Sequence, residues 1–249
     1  LFIVFPFEIP YFTRKSVDFI YKGNPLIDAI DNSEVFKETR EEFLAKTGLP
    51  DRPMIALLAG SRNGEISSMM PTFMAFADRL HALPEYSDYR FVVAAAPARS
   101  EADYAKYIGG REYVSVVFGQ SYAVMRHAKA AVVNSGTASL ECALVGTPQV
   151  VAYKGAEINF LIAKAIIKIR YISLGNLILD RICFRELLQY YFTPDNVLFE
   201  VRRMIEDEEY RSAMLEGYRE IRDALGGEGA SAAVARAMIE ELRKQDRVQ

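Results

Sequence analysis

Between Met54 and Ile169 the chain alternates strand-length apolar runs with helix-length segments. The runs are apolar at successive positions rather than at every second one. Such a strand has no face to give to water and must be covered on both sides, which is the pattern of a parallel sheet between helix layers. The expected strands are Leu1 to Phe5, Phe19 to Tyr21, Met54 to Leu58, Phe91 to Ala95, Tyr113 to Phe118, Ala130 to Val133 and Gln149 to Ala152. The expected helices are Asp31 to Thr47, Glu65 to Leu83, Ser100 to Ile108, Ser121 to Ala128, Thr137 to Val145 and Asn159 to Ile169. Strand-helix alternation of this kind predicts an α/β fold with a doubly wound parallel sheet. A chain of 249 residues can bury the core that this fold needs.

The C-terminal part reads differently. Thr193-Pro194-Asp195 opens a helix, with threonine as cap and proline in the first turn. From there to Gln249 the chain is helical and charged, broken at Gly226 to Gly229, with Ser231 as the expected cap of the next helix. The expectation is a C-terminal helical tail.

Composition narrows the function. Thirty basic against 33 acidic residues give a net charge of −3. That argues against a nucleic-acid-binding chain, which would carry a basic excess, but leaves room for a local basic patch. Cys142 and Cys183 have no metal-ligand spacing, and His81 and His127 are scattered, so a zinc site is not expected. Cys142 lies in the apolar stretch SLECALV and reads as a buried free thiol; reduced thiols fit the cytoplasm. No run approaches the roughly 18 apolar residues of a membrane-spanning helix. The start, LFIVFPFEIPYF, lacks a basic leader and is interrupted by Pro6, Glu8 and Pro10. It begins in mid-strand character without Met, so an upstream part is expected.

In open parallel sheets, ligands bind beyond the carboxyl ends of the strands. Three such ends carry polar turns: Gly60-Ser61-Arg62-Asn63, Gly119-Gln120-Ser121 and Asn134-Ser135-Gly136-Thr137. At the last of these a helix begins at about Thr137. Its first amides lack intrahelical partners and carry the positive end of the helix dipole, which suits a phosphate. Gly136 lets the backbone approach a ligand closely, and Ser135 and Thr137 add hydroxyl donors. The alternative is a plain capping turn, for which Ser and Thr are also favoured. Glu141 lies one turn into the same helix face and could accept hydrogen bonds from two ribose hydroxyls, or be a solvated helix glutamate. Arg62 could neutralise a diphosphate through its planar fork, or form a surface ion pair with Glu65. The chain has no Gly-x-Ser-x-Gly elbow, no Walker loop and no Gly-x-Gly-x-x-Gly, so nicotinamide and ATP readings lose support.

The ordered set LLAGSRNGEI, FGQSYAVM, NSGTASLECALVGTPQVVAYK and YISLGNLIL resembles the C-terminal half of lipid-A-disaccharide synthases, as do FPFE at Phe5 to Glu8 and YKGNPLID at Tyr21 to Asp28. Ala59 stands where the family would place proline, and Asn24 where histidine is common. The resemblance implies a two-lobed glycosyltransferase of the GT-B type, with this chain as its Rossmann-like second lobe. Residues 1–24 would be the end of the first lobe and the crossover, 25–192 the UDP-sugar-binding domain, and 193–249 the helical tail. It implies inverting transfer of 2,3-diacylglucosamine from UDP-2,3-diacylglucosamine to 2,3-diacylglucosamine 1-phosphate, with no metal or other cofactor. Gly60, Ser61 and Arg62 would meet the diphosphate, with Arg62 also catalytic. Gln120 would lie near the nucleotide. Asn134, Ser135, Gly136, Thr137 and Ala138 would wrap the phosphates, and Glu141 would hold the ribose. Asn176 would face the cleft from its far wall as a second catalytic residue. The general base would sit in the first lobe, so the chain alone is expected to bind UDP without turnover.

The acylated substrates imply a peripheral enzyme on the inner face of the cytoplasmic membrane. The stretch from Glu157 to Gly175 fits a basic amphipathic helix at that surface, with Lys164 and Lys168 among its cations; a core helix with a solvated basic edge fits equally. A homodimer, through an exposed lobe interface or exchange of a detached tail, is a further expectation. The rival readings are another UDP-sugar enzyme, of the 2-epimerase or peptidoglycan N-acetylglucosaminyltransferase type, and a non-catalytic nucleotide-binding or oligomerisation module.

Overall fold

The computed structural model describes residues 1–155 and 170–246. Along the chain, β1 (Phe2–Ile3), α1 (Ile9–Arg14) and β2 (Ile20–Tyr21) form an entry segment, followed by α2 (Pro25–Asp31) and α3 (Arg40–Thr47). Then come β3 (Met54–Leu58), α4 (Asn63–His81), β4 (Arg90–Ala95), α5 (Glu101–Ile108), β5 (Val114–Phe118) and α6 (Ser121–His127). The second half has β6 (Ala130–Asn134), α7 (Thr137–Val145), β7 (Gln149–Tyr153), α8 (Leu174–Leu179) and β8 (Glu186–Leu188). The chain finishes with α9 (Pro194–Glu206), α10 (Glu208–Leu225) and α11 (Ala230–Asp246).

The strands β3 to β8 form one parallel sheet in the order β5-β4-β3-β6-β7-β8, while β1 and β2 pair in a separate parallel ribbon. Ile55 sits opposite Phe91 on one side and Ala130 on the other. The winding starts at β3, runs outward to β5, returns to β6 and runs out the other way. The reversal therefore falls between β3 and β6, where a crevice opens at their carboxyl ends.

The continuous apolar runs conceal a period of two, because both faces are covered. Ile55 and Leu57 point to one core with Phe73 and Phe76 of α4 and Val197 and Val201 of α9. Met54, Ala56 and Leu58 point to the other with Phe43 of α3 and Val124 and Met125 of α6. The α/β doubly wound expectation is met by this arrangement.

Local chemistry moved several boundaries. Of the helix expected from Asp31 to Thr47 only Arg40–Thr47 is α-helix: Asp31 is the last residue of α2, and a 3-10 turn occupies Glu34–Phe36. Asn24 caps α2, its Oδ1 accepting from the Leu26 amide at 2.9 Å ahead of Pro25. Thr39 and Glu42 form a reciprocal capping box that starts α3 afresh, at 3.2 and 2.8 Å. The short elements α1, α8 and β8 had no periodic signal. The expected helix from Asn159 to Ile169 lies outside the described residues.

The tail is not detached. Thr193 caps α9 as expected, accepting from the Asn196 amide at 3.2 Å. That helix packs beneath the sheet, where Phe192 meets Phe73 edge to face at 6.0 Å. Arg222 of α10 forms a two-pronged ion pair with Asp31 at 2.8 and 2.7 Å. Ser231 is not the cap of α11: the carboxylate of Asp28 accepts from the amides of Gly229 and Ser231 at 2.6 and 2.7 Å. A distant helix thus supplies the cap that the local sequence did not. No helix among the described residues is long and apolar enough to cross a membrane.

Candidate functional site

The two polar turns at the reversal face each other. After β3 the chain runs Ala59-Gly60-Ser61, and after β6 it runs Ser135-Gly136-Thr137. Gly60 has φ +93°, and a Cβ added there would lie 2.6 Å from Nδ2 of Asn134 and collide with Glu65. Only glycine fits both the backbone conformation and the space. Asn134 is buried, so the gap between the strands has a polar floor.

The amino terminus of α7 opens onto this gap. Gly136 is its N-cap residue, at φ 153° and ψ −162°, and no side chain among the described residues caps the helix. That conformation is nearly confined to glycine. The Ser135 amide donates to the Ala152 carbonyl at 2.8 Å and its hydroxyl to Ile172 O at 3.3 Å. Ser139 turns back to Gly136 O at 2.8 Å. Gly136 and Thr137 are exposed and Ala138 is partly so. The capping alternative weighed from sequence is therefore not what the serine and threonine do here. The positive end of a nine-residue helix is left facing the crevice.

Across the gap, α4 starts differently. Oε2 of Glu65 accepts from the amides of Ser61 and Arg62 at 2.9 and 3.0 Å, and Oε1 accepts from the Arg62 guanidinium at 2.9 Å. Burial works to raise the Glu65 pKa, but these donors outweigh it and hold the carboxyl below its ordinary value. The Arg62–Glu65 pair foreseen as an alternative thus exists. Arg62 remains 83% exposed, so the pair is weak and leaves guanidinium donors available. A second cation was missed from sequence. Arg99, from the β4–α5 loop, donates through Nε to Ser61 O at 2.8 Å and also bonds Asn63. Its only signal was a cation just past the carboxyl end of another central strand.

Glu141 lies one turn into α7 and accepts from the Tyr122 hydroxyl at 3.1 Å. Burial raises the pKa of Glu141, and the tyrosine bond only partly offsets it. Burial and the nearby carboxylate push Tyr122 up to about 12. A half-buried, tyrosine-held carboxyl is not a solvated helix glutamate. Tyr122 was present in FGQSYAVM but had no assigned role. Gln120 precedes α6 at the end of β5 and is partly exposed.

Asn176 departs from expectation. Rather than facing the cleft, it is fully buried and its amide is spent on the chain. It accepts from the amides of Cys183 and Phe184 at 2.8 and 3.3 Å and donates to Phe184 O and Glu186 at 3.0 and 2.9 Å. It borders a cavity of about 460 Å³ that runs along the edge strand β8, beyond β6 and β7 from Gly60. Its neighbour Gly175 is a packing residue, since a Cβ there would strike Phe184 and Ile221. The LGN segment is a structural clamp whose buried polar groups are matched internally. Cys142 is a buried free thiol, as read, with its pKa raised by burial.

Comparisons with known proteins bear on the family and the fold. The sequence profile of the lipid-A-disaccharide synthetase family matches residues 1–238. The lipid-A-disaccharide synthase of Trichlorobacter lovleyi is 33% identical over 96% of this chain, and the chain spans 62% of that relative's length. The UDP-GlcNAc 2-epimerase of Methanocaldococcus jannaschii, in complex with UDP-GlcNAc and UDP, superposes with a TM-score of 0.57 at 11% identity, covering 91% of this chain and 61% of its own. A calicheamicin glycosyltransferase gives 0.52 at 16% identity, covering 78% of this chain and 43% of its own. At such identities the two solved structures speak to the fold, which is that of a GT-B lobe. Fold and motifs, and a profile match running almost end to end, converge: the chain belongs to the lipid-A-disaccharide synthetase family.

Proposed function

We propose that this chain carries the donor-binding lobe of a lipid-A-disaccharide synthase, which transfers 2,3-diacylglucosamine from its UDP donor to 2,3-diacylglucosamine 1-phosphate with inversion. The observation that carries the reading is the uncapped amino terminus of α7 set against Gly60 at the sheet's reversal point. In this reading the diphosphate lies between the two turns. Asn134, Ser135, Gly136, Thr137 and Ala138 wrap it with backbone and side-chain donors, and Ser61 and Arg62 close from the other side. Arg99 holds the Ser61 turn in place. Glu141, fixed through one oxygen by Tyr122, accepts from the ribose hydroxyls with its remaining capacity, and Gln120 lies beside the nucleotide.

Departure of UDP concentrates negative charge at the bond that breaks. Oriented helix amides and guanidinium groups stabilise that charge without reorganising, and in this proposal they do so without a metal. Asn176 keeps only a supporting role, through its clamp on the Cys183–Glu186 turn. A carboxylate on the companion lobe would take the proton of the acceptor 6-hydroxyl as it attacks. Acylated substrates place the enzyme at the inner face of the cytoplasmic membrane as a peripheral protein, and dimerisation is part of the same proposal.

Calorimetric titration of the chain with UDP, ADP and GDP tests this. UDP is expected to bind, with ADP and GDP at least about tenfold weaker, a difference of roughly 1.4 kcal/mol. Equal binding of the nucleotides, or none, would sink the donor-lobe reading. Incubation with both acylated substrates is expected to give no disaccharide, and detectable synthesis by this chain would overturn the assignment of the base to the companion lobe.

A further inference from the structure

A second cavity, of about 400 Å³, opens at the opposite end of the sheet. Its walls include Arg40, Asp51, Arg52, Arg126, His127 and Lys129. The fold gathers them from four places, the first being Arg40 at the start of α3. Arg52 directly precedes the approach to β3, and Lys129 precedes β6, the two approaches being joined by the Lys129 amide donating to Met54 O at 2.8 Å. Arg126 and His127 form the last turn of α6. Parallel strands put this cavity at their amino ends, away from the crevice at Gly60 and Gly136.

The charge of these walls is unbalanced. Asp51 is the only acid among the described lining residues, and Arg40 holds it at 2.8 Å. Arg40 spends its other donors on the carbonyls of His127 and Arg52, at 3.2 and 2.7 Å, and so acts as a clamp. Arg126 gives one N–H to Val35 O and stacks over Phe36, leaving the rest of its fork uncommitted among the described residues. Among the described residues Arg52 reaches only an exposed Asp88 at 3.2 Å. The Lys129 ammonium has no partner among the described residues. His127 reports the same field. Burial first, then Arg126 and Arg40, hold its pKa below the ordinary value, against the opposing pull of Glu38 and Glu41. Like charges brought together around a concave surface repel one another, and an anion seated among them relieves that repulsion. Arginine forks with a lysine point charge match the geometry of phosphate oxygens.

We propose that this cavity is a second anion site, distinct from the donor crevice, which takes a phosphoryl group on Arg52, Arg126 and Lys129. The phosphoryl group could belong to free inorganic phosphate or to a lipid headgroup. Titration of the isotope-labelled chain with sodium phosphate at constant ionic strength separates the outcomes. Saturable shifts at the amides of Lys129 and His127 are expected, weakened about tenfold or more in the double variant Arg52→Gln/Lys129→Gln. Both side chains are exposed, so the variant should melt with the parent and bind UDP unchanged. Co-flotation with phosphatidylglycerol vesicles but not phosphatidylcholine vesicles, lost in the variant, would assign the site to a lipid headgroup. Saturation by inorganic phosphate without flotation would assign it to a soluble ligand. Non-saturating shifts with no flotation, or a double variant that behaves as the parent in both measurements, would overturn the proposal.

Discussion

Glu141 shows a single residue bearing opposed demands. Burial raises its pKa, so its ionised form is disfavoured in the folded chain. A carboxyl raised in this way subtracts stability above its ordinary pKa, and the deficit vanishes once pH falls below that value. Glu141→Gln is therefore expected to raise the melting temperature at pH 7 and to match the parent at strongly acidic pH, read by thermal denaturation at both. The same change should weaken UDP about tenfold, through loss of a charged acceptor for ribose hydroxyls. For the parent, UDP affinity should fall as pH drops through the raised pKa, because the protonated carboxyl accepts poorly. The Tyr122 bond lowers that pKa, so Tyr122→Phe should start the fall at a higher pH. A Tm lowered by Glu141→Gln, or a UDP affinity flat with pH, would contradict this account. Sequence could place Glu141 on the same helix face as Thr137, but it could not show that Tyr122, 19 residues away, holds it.

At the scale of an element, the contrast lies between the starts of α4 and α7. One is closed by its own Glu65; the other has no side-chain cap among the described residues. An uncapped helix end is a local instability kept where an anion can use it. Thr137→Glu should reveal this, because a carboxylate in the first turn favours the helix by about 0.5 kcal/mol while repelling a diphosphate. The expected result is a small rise in stability to denaturant together with loss of UDP binding. A variant that binds UDP as before would mean that phosphates do not lie at this terminus. The same scale explains the misjudged helices. The break between α2 and α3 was written in Ser33, Thr39 and Glu42, whose caps outrank the weak periodicity across them. The cap of α11 was not locally written at all, since it comes from Asp28.

For the whole molecule, the decisive contacts close the chain's end onto its beginning. Asn24 N and Tyr21 Oη both donate to Leu225 O, at 3.2 and 3.1 Å, and Arg222 grips Asp31. The hydrogen bonds from Arg222 hold the Asp31 carboxyl below its ordinary pKa. Their contribution is present above the ordinary carboxylate pKa and is lost as pH falls through the lowered one. Asp31→Asn should cost about 1–2 kcal/mol at pH 7, less than a fully buried pair would, and progressively less in acid. Far- and near-ultraviolet circular dichroism of the parent should report coincident unfolding, and two separated transitions would show the tail folding by itself. The sequence by itself determined the parallel sheet, the sites of its turns and the residue types at the crevice where the sheet reverses. Unbroken apolar runs, glycines and helix-start residues act through neighbours a few positions away, so their consequences are local and legible. Only the tertiary structure decided that Asn176 is a clamp, that Arg99 joins the site, that the tail is part of the core, and that cations at positions 52, 126 and 129 share one cavity. Those outcomes depend on which strands become neighbours, and hydrogen bonds and charge fields act through space across separations that no local pattern records.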